Sequence, residues 1–404
     1  SFVCLDSRMP SVHIFCSVID NFGDLGVCWR LARQLHAEHG ADVTLLVDDL
    51  AAFRQLDSRI DPTRIEQALG GITLMRWHSN APLALTPAAL VIEGFACTLP
   101  ENYRAQLTEK SVWINLDYLS AEAWVDDCHG LSSPHAGGAS STFWFPGFTP
   151  CSGGLLRETD LLNRLDDPTQ AQAFWQRQGL ALSSADTPRL SLFCYETASV
   201  SALLTALHDH QAELMICAGK ALATVNALLP TPLAIGESRS HGASTLYALP
   251  MLAHADYDQL LAACDLNIIR GEDSFVRAQW AAKPMLWHIY PQDQLAHETK
   301  LAAWLDRVAP PDNHEVISST TNFTHEQQAA AQQAWLAAQW AWVRNELSPE
   351  HVQALLAELK PLREMMQRWR EQLIEHSDLA TQLMRFYANQ VEFTPEKTHP
   401  DKPL

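Results

Sequence analysis

Three short loops hold the residue types that do chemistry. The first is Ile19-Asp20-Asn21-Phe22-Gly23-Asp24-Leu25-Gly26, between an apolar, β-branched run (Val12–Val18) and a helical pattern (Val27–His39). Two carboxylates four residues apart at a helix start suit a general base or a cation-binding group. They would repel a pyrophosphate, and the loop lacks the G-x-G-x-x-G spacing of a dinucleotide site. Gly23 and Gly26 allow a tight turn and close backbone approach. The same aspartates serve equally well as turn and capping residues.

The second loop is Arg270-Gly271-Glu272-Asp273-Ser274, between the strand-like DLNIIR and the helical SFVRAQW. Asp273 or Ser274 can cap that helix, and its first-turn N–H groups with Arg270 form a setting for a diphosphate. Glu272 fits if it accepts hydrogen bonds from sugar hydroxyls. A plain capped helix with Arg270 paired to Glu272 is the alternative. The third loop, Phe193-Cys194-Tyr195-Glu196, ends the strand RLSLFCY, where aromatic rings either stack on a base or complete a core. Asn80 and Phe95 stand beyond other predicted strands, where an acceptor would dock.

The elements that must carry these loops follow from the pattern. Strand-like runs at 12–18, 43–47, 72–77, 89–92 and 112–115 alternate with helices, and the alternation resumes with 189–195, 213–218, 246–249, 265–270 and 284–288. Continuous apolar strands between helices predict parallel sheets covered on both faces. Two doubly wound α/β units result, with a Gly/Ser/Pro-rich linker over about 130–187 and helices from Thr324 to Asn389. Ligands bind such sheets outside the carboxyl ends of their strands, where all three loops lie.

Composition narrows the function. The 404 residues carry 28 basic and 47 acidic side chains, a net charge of −19, which disfavours nucleic acid as partner. Nine Cys without a C-x-x-C argue against a disulfide framework or a four-Cys zinc site. Cys128, His129 and His135 are too loosely spaced for a metal, the Trp-bearing C-terminal helices read as packing, and P-loop and G-x-S-x-G patterns are absent. No apolar run approaches 18 residues and no signal pattern opens the chain, so a soluble cytoplasmic protein is expected.

The segments VHIFCSVIDNFGDLGVCWRLARQL and SLFCYE, and the long run CDLNIIRGEDSFVRAQWAAKPMLWHIYPQ followed by His297 and Lys300, resemble the bacterial protein-arginine rhamnosyltransferases that modify elongation factor P. The resemblance spans nearly the whole chain. It implies two facing Rossmann-like domains in the GT-B arrangement. Residues 1–155, joined by a last helix at about 372–391, would bind the acceptor protein; residues 185–370 would bind the nucleotide sugar. It further implies inverting transfer of L-rhamnose from dTDP-β-L-rhamnose to an arginine of elongation factor P, which relieves ribosome stalling at polyproline. Neither metal nor cofactor is needed.

On this reading Asp20 is the base, with Asp24 and Glu272 as further catalytic carboxylates. Asn21, Phe22, Gly23, Tyr195, Tyr257, Arg270, Gly271, Glu272, Asp273 and Ser274 line the donor site. A guanidinium is planar, delocalised and protonated, so it needs a carboxylate to orient it and take a proton as the new bond forms. Inversion puts that base opposite the departing phosphate, one on each domain. Another sugar-nucleotide enzyme of heptosyltransferase or epimerase type, or a non-catalytic module that binds a translation factor, are the competing readings.

Overall fold

The computed structural model describes residues 9–19, 23–182, 184–311 and 321–392. The first domain holds β1 (Ser11–Cys16), β2 (Asp42–Val47), β3 (Glu66–Leu69), β4 (Ile72–Arg76), β5 (Leu90–Gly94), β6 (Val112–Leu116), β7 (Ser132–Pro134) and β8 (Ser140–Trp144). They lie in the order β3-β4-β2-β1-β5-β6-β8-β7. The second holds β9 (Arg189–Leu192), β10 (Glu213–Ile216), β11 (Ser238–His241), β12 (Ser244–Ala248), β13 (Leu266–Arg270) and β14 (Met285–His288), in the order β11-β12-β10-β9-β13-β14. Only β3, β7 and β11 pair antiparallel, each as an edge hairpin.

Each sheet starts in its middle, winds outward, then crosses back to the other side of its first strand. The reversals fall between β1 and β5 and between β9 and β13. Such switch points leave a crevice at the strands' carboxyl ends. The strands beside them are buried almost throughout, β13 entirely, which is why they read as unbroken apolar runs. The result is the expected GT-B architecture of two Rossmann-like domains with a helical C-terminal segment.

The segment expected as linker carries structure instead. β7 and β8 extend the first sheet, and helices Leu161–Asp166 and Pro168–Gln178 lead into the second domain. β8 was illegible because polar groups hold it. Ser141 is fully buried and accepts from Asn115 Nδ2 at 2.8 Å, with His135 Nε2 also 2.8 Å away. His135 stacks on Trp113, and His129 Nδ1 accepts the Phe145 amide at 3.1 Å, so these histidines have structural work.

Helix His325–Val343 starts at a capping box between Thr324 and Gln327. The helical stretch that starts at Pro349 is broken at Glu358 into Pro349–Ala357 and Leu359–Ile374. Trp335 and Trp369 are buried in the second core, their indole N–H groups donating to the Met285 carbonyl and to Gln279 Oε1. The last helix, Leu379–Glu392, returns to the first domain and sinks Leu379, Ala380 and Leu383 into its core against helix Gly23–His39. Among the described residues, no helix is long and apolar enough to cross a membrane.

Candidate active site

A cavity of about 230 Å³ opens at the switch point of the second sheet. Its floor comes from the segments that follow β9, β10, β12 and β13. Gly23, Gln55 and Leu56 of the first domain close its other side. Phe193, Tyr195, Tyr257 and the whole run Arg270–Ser274 line it. Of the donor-site residues named from sequence, Gly23, Tyr195, Tyr257 and Arg270–Ser274 therefore meet in one place. Asp20, Asn21 and Phe22 lie outside the described residues. Asn80 is exposed on a turn away from the cavity.

Arg270 ends β13 and is buried. Its guanidinium lies 4.5 Å from the centre of the Phe193 ring and 4.8 Å from that of Tyr195. Cation–π contact holds the cation while leaving donors unused: Nη1 is buried with no hydrogen-bond partner among the described residues. The Tyr257 hydroxyl is likewise buried beside Ser274 without a well-formed hydrogen bond. Buried donors left unpaired are costly, and an anionic, oxygen-rich ligand would satisfy them. Lys220 Nζ, 5.5 Å from the Tyr195 ring, adds a second cation at the rim. Burial, with Arg270 adding to it, lowers the neighbouring His288 to about 4, so it stays neutral.

Gly271 has φ of +68°, a conformation that favours glycine, and its carbonyl accepts the Trp287 indole N–H at 3.0 Å. This turn reverses the chain from β13 into helix Asp273–Ala281. Asp273 was expected to cap that helix or to line the ligand site; it lines the cavity, but its carboxylate is not the cap. Glu272 occupies the cap position without a side-chain cap bond, leaving the first-turn amides uncapped toward the cavity. The Asp273 carboxylate instead accepts from Arg277 Nε at 2.7 Å and Arg30 Nη1 at 3.2 Å. Burial alone would raise its pKa; those two guanidiniums hold the carboxyl far below the usual range. Nor does Arg270 pair with Glu272. Glu272 Oε1 accepts the Leu119 amide of the first domain at 2.7 Å. Burial lifts its carboxyl to about 8 against the pull of Lys300 and the Leu119 amide, and the nearby Asp24 and Asp117 carboxylates add to the rise.

The facing wall is acidic. Asp24 sits buried in the first turn of helix Gly23–His39 and accepts from the Tyr118 hydroxyl at 3.0 Å. Tyr118 stacks on Phe95 with ring centres 4.7 Å apart, and Lys300 Nζ lies 5.8 Å from its ring. Phe95 and Ala96 are both left-handed, at φ +54° and +56°, immediately after β5. Consecutive non-glycine residues in that region are strained, a state that clusters at functional loops. The loop that begins at Ser17 is anchored by Asp48, which accepts the Ser17 hydroxyl at 2.5 Å and the Val18 amide at 2.8 Å.

The sequence reading missed Tyr118, Asp117, Lys220, His254 and Asp48 as parts of this site. Each is a single residue after a strand or at a helix start, without a motif around it. Their common signal was position at a strand's carboxyl end.

A family model described as Elongation-Factor P (EF-P) rhamnosyltransferase EarP matches residues 12–388. The chain belongs to the EarP family. The protein-arginine rhamnosyltransferase of Pseudomonas putida is 42% identical over 388 residues, covering 93% of this chain and 98% of that protein. The Pseudomonas aeruginosa enzyme of the same name is 41% identical over 394 residues, covering 94% and 100%. A solved structure concerned with EarP-mediated arginine glycosylation of translation elongation factor EF-P is similar at a TM-score of 0.64 and 32% identity, covering 94% of this chain and 99% of that one. As an EarP-family member the chain is a protein-arginine rhamnosyltransferase, an enzyme of the glycosyltransferase class.

Proposed function

We propose that this protein transfers L-rhamnose from dTDP-β-L-rhamnose to one arginine of translation elongation factor P, with inversion and without a metal or cofactor, in the cytoplasm, so relieving stalling at polyproline. The single observation that carries the reading is the pairing, across one cleft, of a cationic, aromatic pocket with an acidic wall. Arg270, the uncapped amides after Gly271 and the rings of Phe193, Tyr195 and Tyr257 suit a nucleoside diphosphate; Asp24, Asp117 and Glu272 suit a guanidinium.

The chemistry divides along the same line. Arg270 and the first-turn amides stabilise the negative charge that grows on the departing diphosphate. The sugar passes through an oxocarbenium-like state and is attacked from the face opposite that phosphate. Asp20 takes the proton of the attacking guanidinium nitrogen. Asp24, oriented by Tyr118, and Glu272 hold the remaining guanidinium nitrogens. A guanidinium arriving beside Glu272 favours its ionised form, so acceptor binding drives a proton off that carboxyl.

Incubating the protein with dTDP-L-rhamnose and elongation factor P, then weighing the factor, tests the proposal. A rhamnosyl mass gain on one arginine is expected. Tight binding of the factor with no gain would make the protein a binding module. Turnover of another sugar nucleotide with no gain on the factor would make it an enzyme of another substrate class.

A further inference from the structure

Arg30, on helix Gly23–His39 of the first domain, is almost completely buried although fully charged. Its Nε and Nη2 grip Glu158 at 2.7 and 2.8 Å, Nη2 also reaches the Leu156 carbonyl at 3.3 Å, and Nη1 meets Asp273 at 3.2 Å. Asp273 is tied to Arg277, and Arg277 to buried Asp258 at 2.8 Å, with Arg164 a further 3.8 Å away. Beside it the two domains nearly touch. A Cβ on Gly26 would stand 3.5 Å from the Asp273 Cβ and Oδ2. Gly26 therefore packs against the other domain, where a larger side chain than a methyl would meet Asp273, and not against a ligand as its place in the loop implied. The next residue, Glu272, is bound to the first domain through the Leu119 amide. Two consecutive residues of the phosphate-side turn are thus bonded to the domain that carries the acidic wall.

We propose that Arg30 is a positioning residue for glycosyl transfer: by joining helix Gly23–His39 to Asp273, it sets the distance between the Asp24 carboxylate at that helix's start and the sugar held over the Arg270–Ser274 turn. Arg30 does not line the cavity, so it acts on the second domain only through Asp273 and Glu158. A buried fork–carboxylate bond is directional, and a helix held by one keeps its register. Loosening it leaves each half-site intact but lets the reacting atoms drift apart, and displacements near 1 Å lower turnover by about 100-fold.

The inference rests on the proposed rhamnosyl transfer for its rate measurement. Arg30→Lys keeps the charge and loses the fork. The double variant Arg30→Gln with Glu158→Gln removes one charge of each sign, leaving no carboxylate stranded. Gly26→Val leaves the ion pairs in place and wedges the same contact. Each is to be compared with wild type for dTDP affinity by calorimetry, for donor KM and kcat on the factor, and by small-angle scattering with dTDP bound. The expected result is dTDP affinity and donor KM within about 3-fold of wild type, kcat lower by ~10-fold or more, and a larger radius of gyration. Folded variants with wild-type kcat would overturn the proposal. So would a kcat loss matched by an equal loss of dTDP affinity, which would make Arg30 part of the donor site. If the Arg30 variants fail to fold, Gly26→Val decides by the same criteria. Wild-type protein that transfers no rhamnose would remove the functional reading instead, and the scattering comparison would then judge the Arg30 contact by itself.

Discussion

The two walls of the cleft hold charge in opposite ways. On the donor side a cation is fixed by ring faces, with a donor left buried and unpaired. On the acceptor side carboxylates crowd one another: Asp24 is held by a tyrosine hydroxyl, and Glu272 is pushed up to about 8. The donor wall is ready for an anion before any arrives. On the proposed reading, the acceptor wall gives up a proton when a cation arrives. A site for a diphosphate needs a preformed positive field, because the leaving charge appears within a single bond-breaking event. A site for a guanidinium needs carboxylates that orient it and take its proton as the new bond forms, and the arriving cation in turn favours their ionised forms.

The contrast can be broken most severely at the base. Asp20→Asn is expected to lower turnover by roughly 10²–10⁴-fold while dTDP affinity, read by calorimetry, stays near wild type. Unchanged turnover would move the base elsewhere. Arg270→Ala, acting on the other wall, is expected to weaken dTDP binding by about 10- to 100-fold, the scale of a lost charge-assisted bond to a phosphate. Equal affinity in that variant would mean that the amides after Gly271 alone hold the diphosphate.

Glu272 sharpens the comparison through pH. Its folded-state pKa is raised to about 8, so the folded protein holds a proton there that the unfolded chain releases. Stability from this group is complete in acid and is lost as pH rises through about 8. Thermal midpoints should therefore fall between about pH 5 and 8, and fall less in Glu272→Gln. Acceptor affinity should move the other way, rising over the same interval in wild type and staying flat in the variant. Glu158 works in the opposite window: Arg30 holds it at about 2 despite burial, so its contribution is lost only in acid.

The smallest effect expected lies behind the donor wall. Ala282 ends helix Asp273–Ala281 with φ of +53°, a left-handed position. Ala282→Gly should raise stability by about 1 kcal/mol, measured by urea unfolding, with no change in turnover.

Much of this was legible. The apolar runs that became β1, β9 and β13 are long because parallel strands between two helical layers have no exposed face. The Arg270–Ser274 turn was readable because strand, turn and helix start are adjacent in sequence. The acidic wall was not. Arg30 and Asp273 are 243 positions apart, and Leu119 and Glu272 are 153 apart, so no local spacing announces either pair. Asp273 was misread for a related reason. At a helix start an aspartate caps by default, and only two distant arginines turn it away. β7 and β8 were hidden because they are serine-rich, with buried Ser141 satisfied by Asn115 and His135, which imitates a loop in composition.

The return of helix Leu379–Glu392 to the first domain has a consequence for how the chain is made. The first sheet is complete once Trp144 has been synthesised, yet three residues of its core arrive 379 − 144 = 235 residues later, at Leu379 and beyond. At about 5–20 residues per second a nascent chain spends roughly 10–50 s with that seam uncovered. Throughout that interval the side of the first core that the last helix covers lies open, and chaperones would find it there. A premature stop near the carboxyl terminus would keep the nucleotide pocket and lose the half that was translated first.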